Sequence, residues 1–355
     1  MVQITETIPP VALFEDYLYF SSFSDAMLRH ARTAVQHHIE NCQLNSSSFA
    51  VEIASNDGYL LKNFVSAGIP CLGVEPAKNI AIVAQAAGIP TLCEFFGYGT
   101  AGTVLANHGA ADLILGNNVF AHAPDITDFI SGMARLLKAD GRIVVEFPYL
   151  GNFVDHLEFD TVYHEHVFYF SVLALQPAFA RQGLTIFDAE KIDIHGGSLR
   201  LSAGRTGRHP VTARLTALVA DEQAAGMTTF EYYENFARRI AILKQQLLEL
   251  IGGLKAQGKT IAAYGASAKG STLLNYFGIG SESLDFVVDR STYKQGRLTP
   301  GTHLHIEDPV KLLERRPDYT LLLTWNFASE ILRQQEAYTA GGGKFIIPLP
   351  EPRVA

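Results

Sequence analysis

Apolar residues recur along this chain with two alternating periods. Met27, Leu28, Ala31, Ala34, Val35 and Ile39 fall at helical spacing behind Ser24 or Asp25, either of which suits a helix cap. A polar loop follows over 41–48. Residues 49–54 form an apolar run of strand length, ending in Ser55-Asn56-Asp57-Gly58. The pattern then predicts a helix over 59–67, a strand over 71–74, a helix over 77–87, a strand over 113–115, a helix over 129–137 and a strand over 142–147. Strands alternating with helices at these intervals predict a parallel, doubly wound sheet. Runs at 184–189, 191–194 and 198–203 predict three late strands, with a late antiparallel pair as a sheet edge. Residues 211–257 read as two helices. The stronger, over 229–254, lines up Tyr232, Phe236, Ile240, Leu243, Leu247, Leu250 and Ile251 on one face.

A second αβ unit starts at 260–264, with a turn at 265–270, a helix over 271–277 and strands over 284–288 and 319–324. The expected fold class is therefore α/β, with two Rossmann-like units joined by helices. The expected division is a helical segment over 1–48, a first nucleotide-type domain over 49–205, a helical connector over 206–257 and a smaller second domain over 258–355.

Composition narrows the function. The chain has 355 residues, 48% hydrophobic and 18% charged, with a formal charge of −8. That balance fits a globular protein and argues against a general nucleic-acid binder. No run reaches the roughly 20 apolar residues of a membrane span, and the N-terminus has no signal-peptide pattern. Cys42, Cys71 and Cys93 form no C-x-x-C pair, so neither a disulfide framework nor a cysteine-rich zinc module is expected. A cytoplasmic protein, monomeric or homodimeric, is the expectation.

The first αβ unit carries a ligand signature. A strand runs into a tight turn that opens a helix, and roughly twenty residues on the next strand ends in Glu75-Pro76, where an acid can accept ribose hydroxyls. The turn lacks G-x-G-x-x-G and bears acids at Glu52 and Asp57, which would repel a pyrophosphate. S-adenosylmethionine has no phosphate and ends in a cationic sulfonium and amine, so it suits an acidic turn better than NAD does. Glu52, Ala54, Ser55, Asn56, Asp57, Gly58, Glu75 and Pro76 are the candidate cofactor residues. Asn117 and Asn118, at the end of a later strand, would reach the same crevice and its methionine moiety.

The densest chemistry lies in Phe159-Asp160-Thr161-Val162-Tyr163-His164-Glu165-His166-Val167-Phe168-Tyr169-Phe170-Ser171. Two histidines and a carboxylate within three positions, among aromatics, suit proton transfer in a dry site. No third and fourth ligand at suggestive spacing supports a metal. Alternation turns His164 away from Tyr163 and Glu165.

These segments resemble the sugar C-methyltransferases, a family of class I S-adenosylmethionine-dependent methyltransferases. The matching stretches are Tyr17-Leu18-Tyr19-Phe20-Ser21-Ser22, Glu52 to Gly58, Gly73-Val74-Glu75-Pro76, Asn118-Val119-Phe120-Ala121-His122, Glu146-Phe147-Pro148-Tyr149, the histidine segment, His195-Gly196-Gly197-Ser198 and Tyr264-Gly265-Ala266-Ser267-Ala268-Lys269-Gly270. The resemblance implies methylation of a carbon next to a keto group, on a nucleotide-linked keto-deoxysugar. It implies His166 as general base, with Glu165 and Tyr163 orienting or polarising. His122 would hydrogen-bond the enolate oxygen, and Tyr17 or Tyr19 would join the site. Two departures stand out. Ala54 replaces the family's first loop glycine, and the usual N-terminal cysteine-rich zinc domain is absent from this sequence.

In the second unit, small residues and Lys269 after a strand could cradle a phosphate. Ser267, Lys269, Gly270 and Asp289 are the candidate substrate residues, and the resemblance implies a nucleotide diphosphate there. Competing readings are an O- or N-methyltransferase acting on another small metabolite, an NAD-dependent oxidoreductase and a non-catalytic nucleotide-binding scaffold.

Overall fold

Seven strands build the first sheet: β1 (Ala50–Ile53), β2 (Cys71–Val74), β3 (Thr91–Leu92), β4 (Ala111–Asn117), β5 (Leu137–Pro148), β6 (Leu184–Ile192) and β7 (Ser198–Arg205). Their spatial order is β3-β2-β1-β4-β5-β7-β6. The first five run parallel, and β7 and β6 close the edge as an antiparallel pair. This is a computed structural model, and it describes residues 2–3, 9–14, 17, 19–194 and 197–355. Leu18, His195 and Gly196, all within the family-like segments, lie outside the described residues.

Helices cover both faces of this sheet, so its central strands are apolar throughout. Leu113, Ile114 and Leu115 are fully buried, as are Phe64 and Ile80 from the flanking helices. Truncating Phe64 to alanine would cost about 3–5 kcal/mol. Helix Ile126–Leu136 shows why such elements form. Asp125 caps it by accepting the Asp128 N–H, and Phe129, Ile130, Met133 and Leu136 make one buried stripe. Helix Asp25–Cys42 is capped as expected by Ser24, whose side chain accepts the Met27 N–H.

The second sheet contains β8 (Ile261–Tyr264), β9 (Val287–Val288), β10 (Ile306–Glu307), β11 (Tyr319–Leu322), β12 (Lys344–Ile347) and β13 (Arg353–Val354). Its order is β10-β9-β8-β11-β12-β13, parallel except at β13. That is the doubly wound arrangement in which the order reverses beside the first strand.

The chain divides into two units, 1–149 with 167–225, and 150–166 with 226–355. The boundaries differ from the expected ones for a packing reason. Helix Phe230–Ala256, expected as part of a connector, buries Ile240, Leu243, Leu247, Ile251 and Leu254 in the second unit's core. Leu157 and Phe159 enter the same core, which draws 150–166 out of the first unit. Helix Ala213–Ala224 stays with the first unit. Two local expectations also change, and one helix has no expectation. Residues 184–192 form one strand instead of two. Only Val287–Val288 pairs within 284–288, because the Leu284 N–H is held in a turn by Gly280. Helix Tyr98–His108 has no apolar stripe strong enough to announce it and contains Gly99 and Gly102, which disfavour helix.

Candidate active site

In the first sheet the connections part at β1 and β4, one leading to β2 and β3, the other to β5. Ligands of such sheets bind outside the strand C-termini at this reversal, and the expected cofactor residues lie there. The loop after β1 has an unusual backbone. Ala54, Asn56 and Gly58 have φ of 54°, 49° and 78°, so every second residue is left-handed. Glycine normally supplies that conformation without strain. Only Gly58 does so here, and a Cβ on it would sit 2.7 Å from Ile89 Cγ1. Gly73 on β2 is equally constrained, because a side chain there would collide with Ser55.

Glu75 organises the loop. One carboxylate oxygen accepts the Asn56 N–H at 2.8 Å and the other the Ala77 N–H at 2.9 Å. Burial raises its pKa, while these N–H groups pull the other way. Glu52 is different. It is 1% exposed, and neither of its oxygens has a hydrogen-bond partner. Burial, then the charges of Glu75, Asp57 and Glu146, push its pKa well up. Asp57 Oδ1 and Asn117 Oδ1 are also buried without partners. An unpaired buried carboxyl is costly unless a ligand meets it. A cationic group with hydrogen-bond donors, such as the amine of S-adenosylmethionine, fits this set, and a pyrophosphate does not. Asn118, left-handed at φ 55°, closes the end of β4 by donating its N–H to the Glu146 carbonyl at 2.7 Å. Pro76 follows Glu75 and is half-buried.

The N-terminal segment is tied to this same loop. Ser21 N–H donates to Asn56 Oδ1 at 2.8 Å, Ser22 N–H to Asp57 Oδ2 at 3.2 Å, and the Asn56 amide to the Tyr19 carbonyl at 3.1 Å. Asn79 exchanges two hydrogen bonds with the Tyr17 backbone. Tyr17 and Tyr19 are therefore both held beside the cofactor loop, their rings 6.5 Å apart. Phe14 lies 5.1 Å from Tyr17 and 6.5 Å from His122 between ring centres, bringing His122 into the same group. Burial lowers the His122 pKa to about 4, so its imidazole is neutral.

The candidate proton-transfer residues lie in the second unit. His166 Nδ1 is 3.0 Å from the Thr161 carbonyl oxygen, which can only accept, so Nδ1 carries the proton and Nε2 the basic lone pair. Tyr163 hydroxyl is 3.3 Å from Nε2, and the two rings are 4.4 Å apart. Burial raises the Glu165 pKa, against the pull of His164. His164 is exposed, but in a turn and not on a strand, so alternation does not set its direction. The chain re-enters the first unit at Val167, whose N–H donates to the Ala121 carbonyl at 2.9 Å. Those two residues are the immediate chain neighbours of His166 and His122.

The second unit's loop is largely self-satisfied. Asp289 accepts the Ala266 and Ser291 N–H groups, both at 2.8 Å. Ser267 caps helix Ala268–Phe277 by accepting the Gly270 N–H at 3.0 Å. A side chain on Gly270 would sit 2.8 Å from Leu323 Cβ. Lys269 is turned toward Asn326, whose Oδ1 accepts from its ammonium at 3.0 Å, and over the Trp325 ring at 4.8 Å. Its side chain is not presented to an open loop.

Several contributors escape sequence reading. Phe14 and Asn79 have no motif. Glu146 lies in a family-like segment, but its partners, His30 at 2.7 Å and Arg200 at 2.7 Å, are remote in sequence. Burial alone would raise its pKa, yet those partners hold it below the ordinary value. Among the described residues no group of three or more histidine, cysteine or acidic side chains could hold a metal ion. No described helix is long and apolar enough to cross a membrane.

Comparison with known proteins bears on both units. Residues 27–189 match the model of a methyltransferase domain, and residues 193–350 match that of the C-methyltransferase C-terminal domain. C-methyltransferase NovU of Streptomyces niveus is 37% identical over 355 residues, covering all of this chain and 84% of that protein. Similar solved structures include magnesium protoporphyrin IX methyltransferase from Synechocystis PCC 6803, at 15% identity, 50% of this chain, 83% of that one and a TM-score of 0.40. Another is a methyltransferase from Clostridium acetobutylicum, at 10% identity, 51% of this chain, 92% of that one and a TM-score of 0.41.

Proposed function

The chain belongs to the C-methyltransferase family and is an S-adenosylmethionine-dependent methyltransferase; from that premise we propose that it deprotonates a carbon next to a keto group and methylates it, on a nucleotide-linked keto-deoxysugar. The observation that carries this reading is the His166 geometry. With Nδ1–H fixed on the Thr161 carbonyl, Nε2 is the basic nitrogen, and the Tyr163 hydroxyl stands beside it.

S-adenosylmethionine supplies a methyl group made electrophilic by its cationic sulfur. Glu52 and Asp57 would hold its amine end, and Glu75 keeps one lone pair on each oxygen for the ribose hydroxyls. Carbon becomes nucleophilic only when an adjacent proton leaves. In this reading His166 Nε2 takes that proton, and the C–H electron pair passes into the enolate. Tyr163 and Glu165 orient the imidazole and the carbonyl. His122, neutral at physiological pH, would donate a hydrogen bond to the enolate oxygen without first being protonated, and Tyr17 and Tyr19 would flank it.

The nucleotide part of the substrate would go to the second unit. Helix Ala268–Phe277 leaves its first backbone N–H groups, at Ala268 and Lys269, without intrahelical partners, and these suit a diphosphate. Ser267, Gly270 and Asp289 shape that loop and hold it in register. The free state of Cys42, Cys71 and Cys93 accords with a cytoplasmic setting.

The test is loss of deuterium from the carbon beside the keto group of a nucleotide-linked 4-keto-deoxysugar, without methyl donor. His166→Gln should slow this exchange by roughly 10²- to 10⁴-fold. An unchanged rate would remove His166 from the base role. Methyl transfer to oxygen with no exchange would overturn the carbon reading.

A further inference from the structure

The segment bearing Tyr163 and His166 opens in a single 3-10 turn, Phe159–Thr161. This turn packs on helix Ala268–Phe277, with Phe159 stacked on Phe277 at 4.8 Å. At its centre lies Asp160, 0% exposed. One Asp160 oxygen accepts the indole N–H of Trp325 at 2.7 Å, and the other has no partner. Trp325 is the sole tryptophan of the chain. Its ring carries the Lys269 ammonium on one face, and the next residue, Asn326, accepts from that ammonium.

A carboxyl buried with one of its two oxygens unpartnered is an expensive way to make a turn. Packing alone would be served by an apolar residue. The expense has an evident recipient one residue along. Thr161 supplies the carbonyl that holds His166 Nδ1, and the turn is locked at the same point by the Thr161 hydroxyl on the Glu158 carbonyl at 2.8 Å. Lys269 balances the buried acids of this turn, since its charge opposes the burial-driven rise in the Glu158 and Asp160 pKa values.

We propose that Asp160, clamped by Trp325, is a positioning residue that aims the Thr161 carbonyl at His166 Nδ1 and so keeps the basic lone pair on Nε2. Lys269, held on Asn326 and over the Trp325 ring, braces the indole that grips Asp160. The inference rests on His166 being the base.

The experiment uses the full chain with Asp160→Asn and Trp325→Phe. The first keeps an acceptor for the indole but removes the charge, and the second keeps the charge but removes the donor. Long-range proton–nitrogen NMR, with His166 assigned by its disappearance in His166→Gln, reads the tautomer without any substrate. The wild type should show a single Nδ1–H tautomer and both variants a mixture. Deuterium exchange from the keto-deoxysugar nucleotide should fall roughly 10- to 100-fold, with calorimetric affinity for S-adenosylmethionine unchanged within about twofold. A wild-type tautomer in a folded variant, or a donor-affinity loss parallel to the exchange loss, overturns the proposal. Should Asp160→Asn fail to fold, Trp325→Phe decides alone. Unchanged exchange in His166→Gln would instead sink the base assignment, whatever the tautomers show.

Discussion

The two units place the same device at the end of their first strand and equip it with opposite electrostatics. In each, an acid at the end of the second strand clamps the loop after the first: Glu75 holds Asn56 and Ala77, and Asp289 holds Ala266 and Ser291. In each, the residue opening the loop is left-handed, Ala54 at φ 54° and Gly265 at φ 97°. Two positions before that residue they part. The first unit has Glu52, buried and unpartnered, and the second has Ala263. The loops share a backbone scaffold and differ in charge, with Glu52 and Asp57 in the first where the second has Ala263 and Ala268. A buried acidic pocket suits a cationic group. A loop with its acid consumed and a helix N-terminus exposed suits an anion.

Exchanging the differing strand residue would break this comparison most severely. Ala263→Glu puts a carboxyl into a wholly buried strand with no partner, so thermal unfolding should register a loss of about 3–5 kcal/mol. A variant of wild-type stability would mean that the second loop tolerates charge as the first does. The reciprocal change sharpens the contrast. Glu52→Gln should weaken calorimetric binding of S-adenosylmethionine by roughly 10- to 100-fold while raising the melting temperature, because a buried unpaired acid is removed. A variant that keeps its donor affinity would take Glu52 out of the pocket.

The smallest effect concerns pH. The folded-state pKa of Glu158 is raised from 4.5 to about 8, chiefly by burial. The folded chain thus binds this proton more tightly than the unfolded chain. The resulting stability is fully present below 4.5 and lost as pH rises through about 8. Glu158→Gln mimics the protonated form, so it should lose less stability than the wild type over that window. The gap in melting temperature should reach about 2–4 °C at the alkaline end. Parallel melting curves across the window would contradict the assignment.

Much of this architecture is legible from pattern alone. The strand at Cys71–Val74 and the cap at Ser24 follow directly from apolar spacing and residue type. So does Glu75 as the loop's acid, whereas the association of Tyr163 with His166 follows from the family resemblance. What escapes is set by contacts across long separations. Asp160 and Trp325 are 165 positions apart, and spacing cannot reveal that pairing. The inward turn of Lys269 escapes for the same reason, because its environment is built by Asp160, Trp325 and Asn326. The assignment of 150–166 to the second unit depends on two side chains, Leu157 and Phe159, finding a core formed by residues far downstream.

The alternating left-handed residues of the first loop carry one more consequence, for how such sites can be found and rebuilt. A glycine fingerprint is shorthand for torsion angles that glycine adopts freely, and here alanine and asparagine take left-handed angles at positions 54 and 56. A search keyed to glycine letters would pass over this loop, whereas one keyed to dihedral angles would retrieve it. For a designer the same fact is a reserve of adjustable rigidity. Glycine at position 54 would relieve torsional strain of about 1 kcal/mol, yet it would enlarge the set of shapes the loop can adopt before a ligand arrives. Alanine there exchanges comfort for preorganisation.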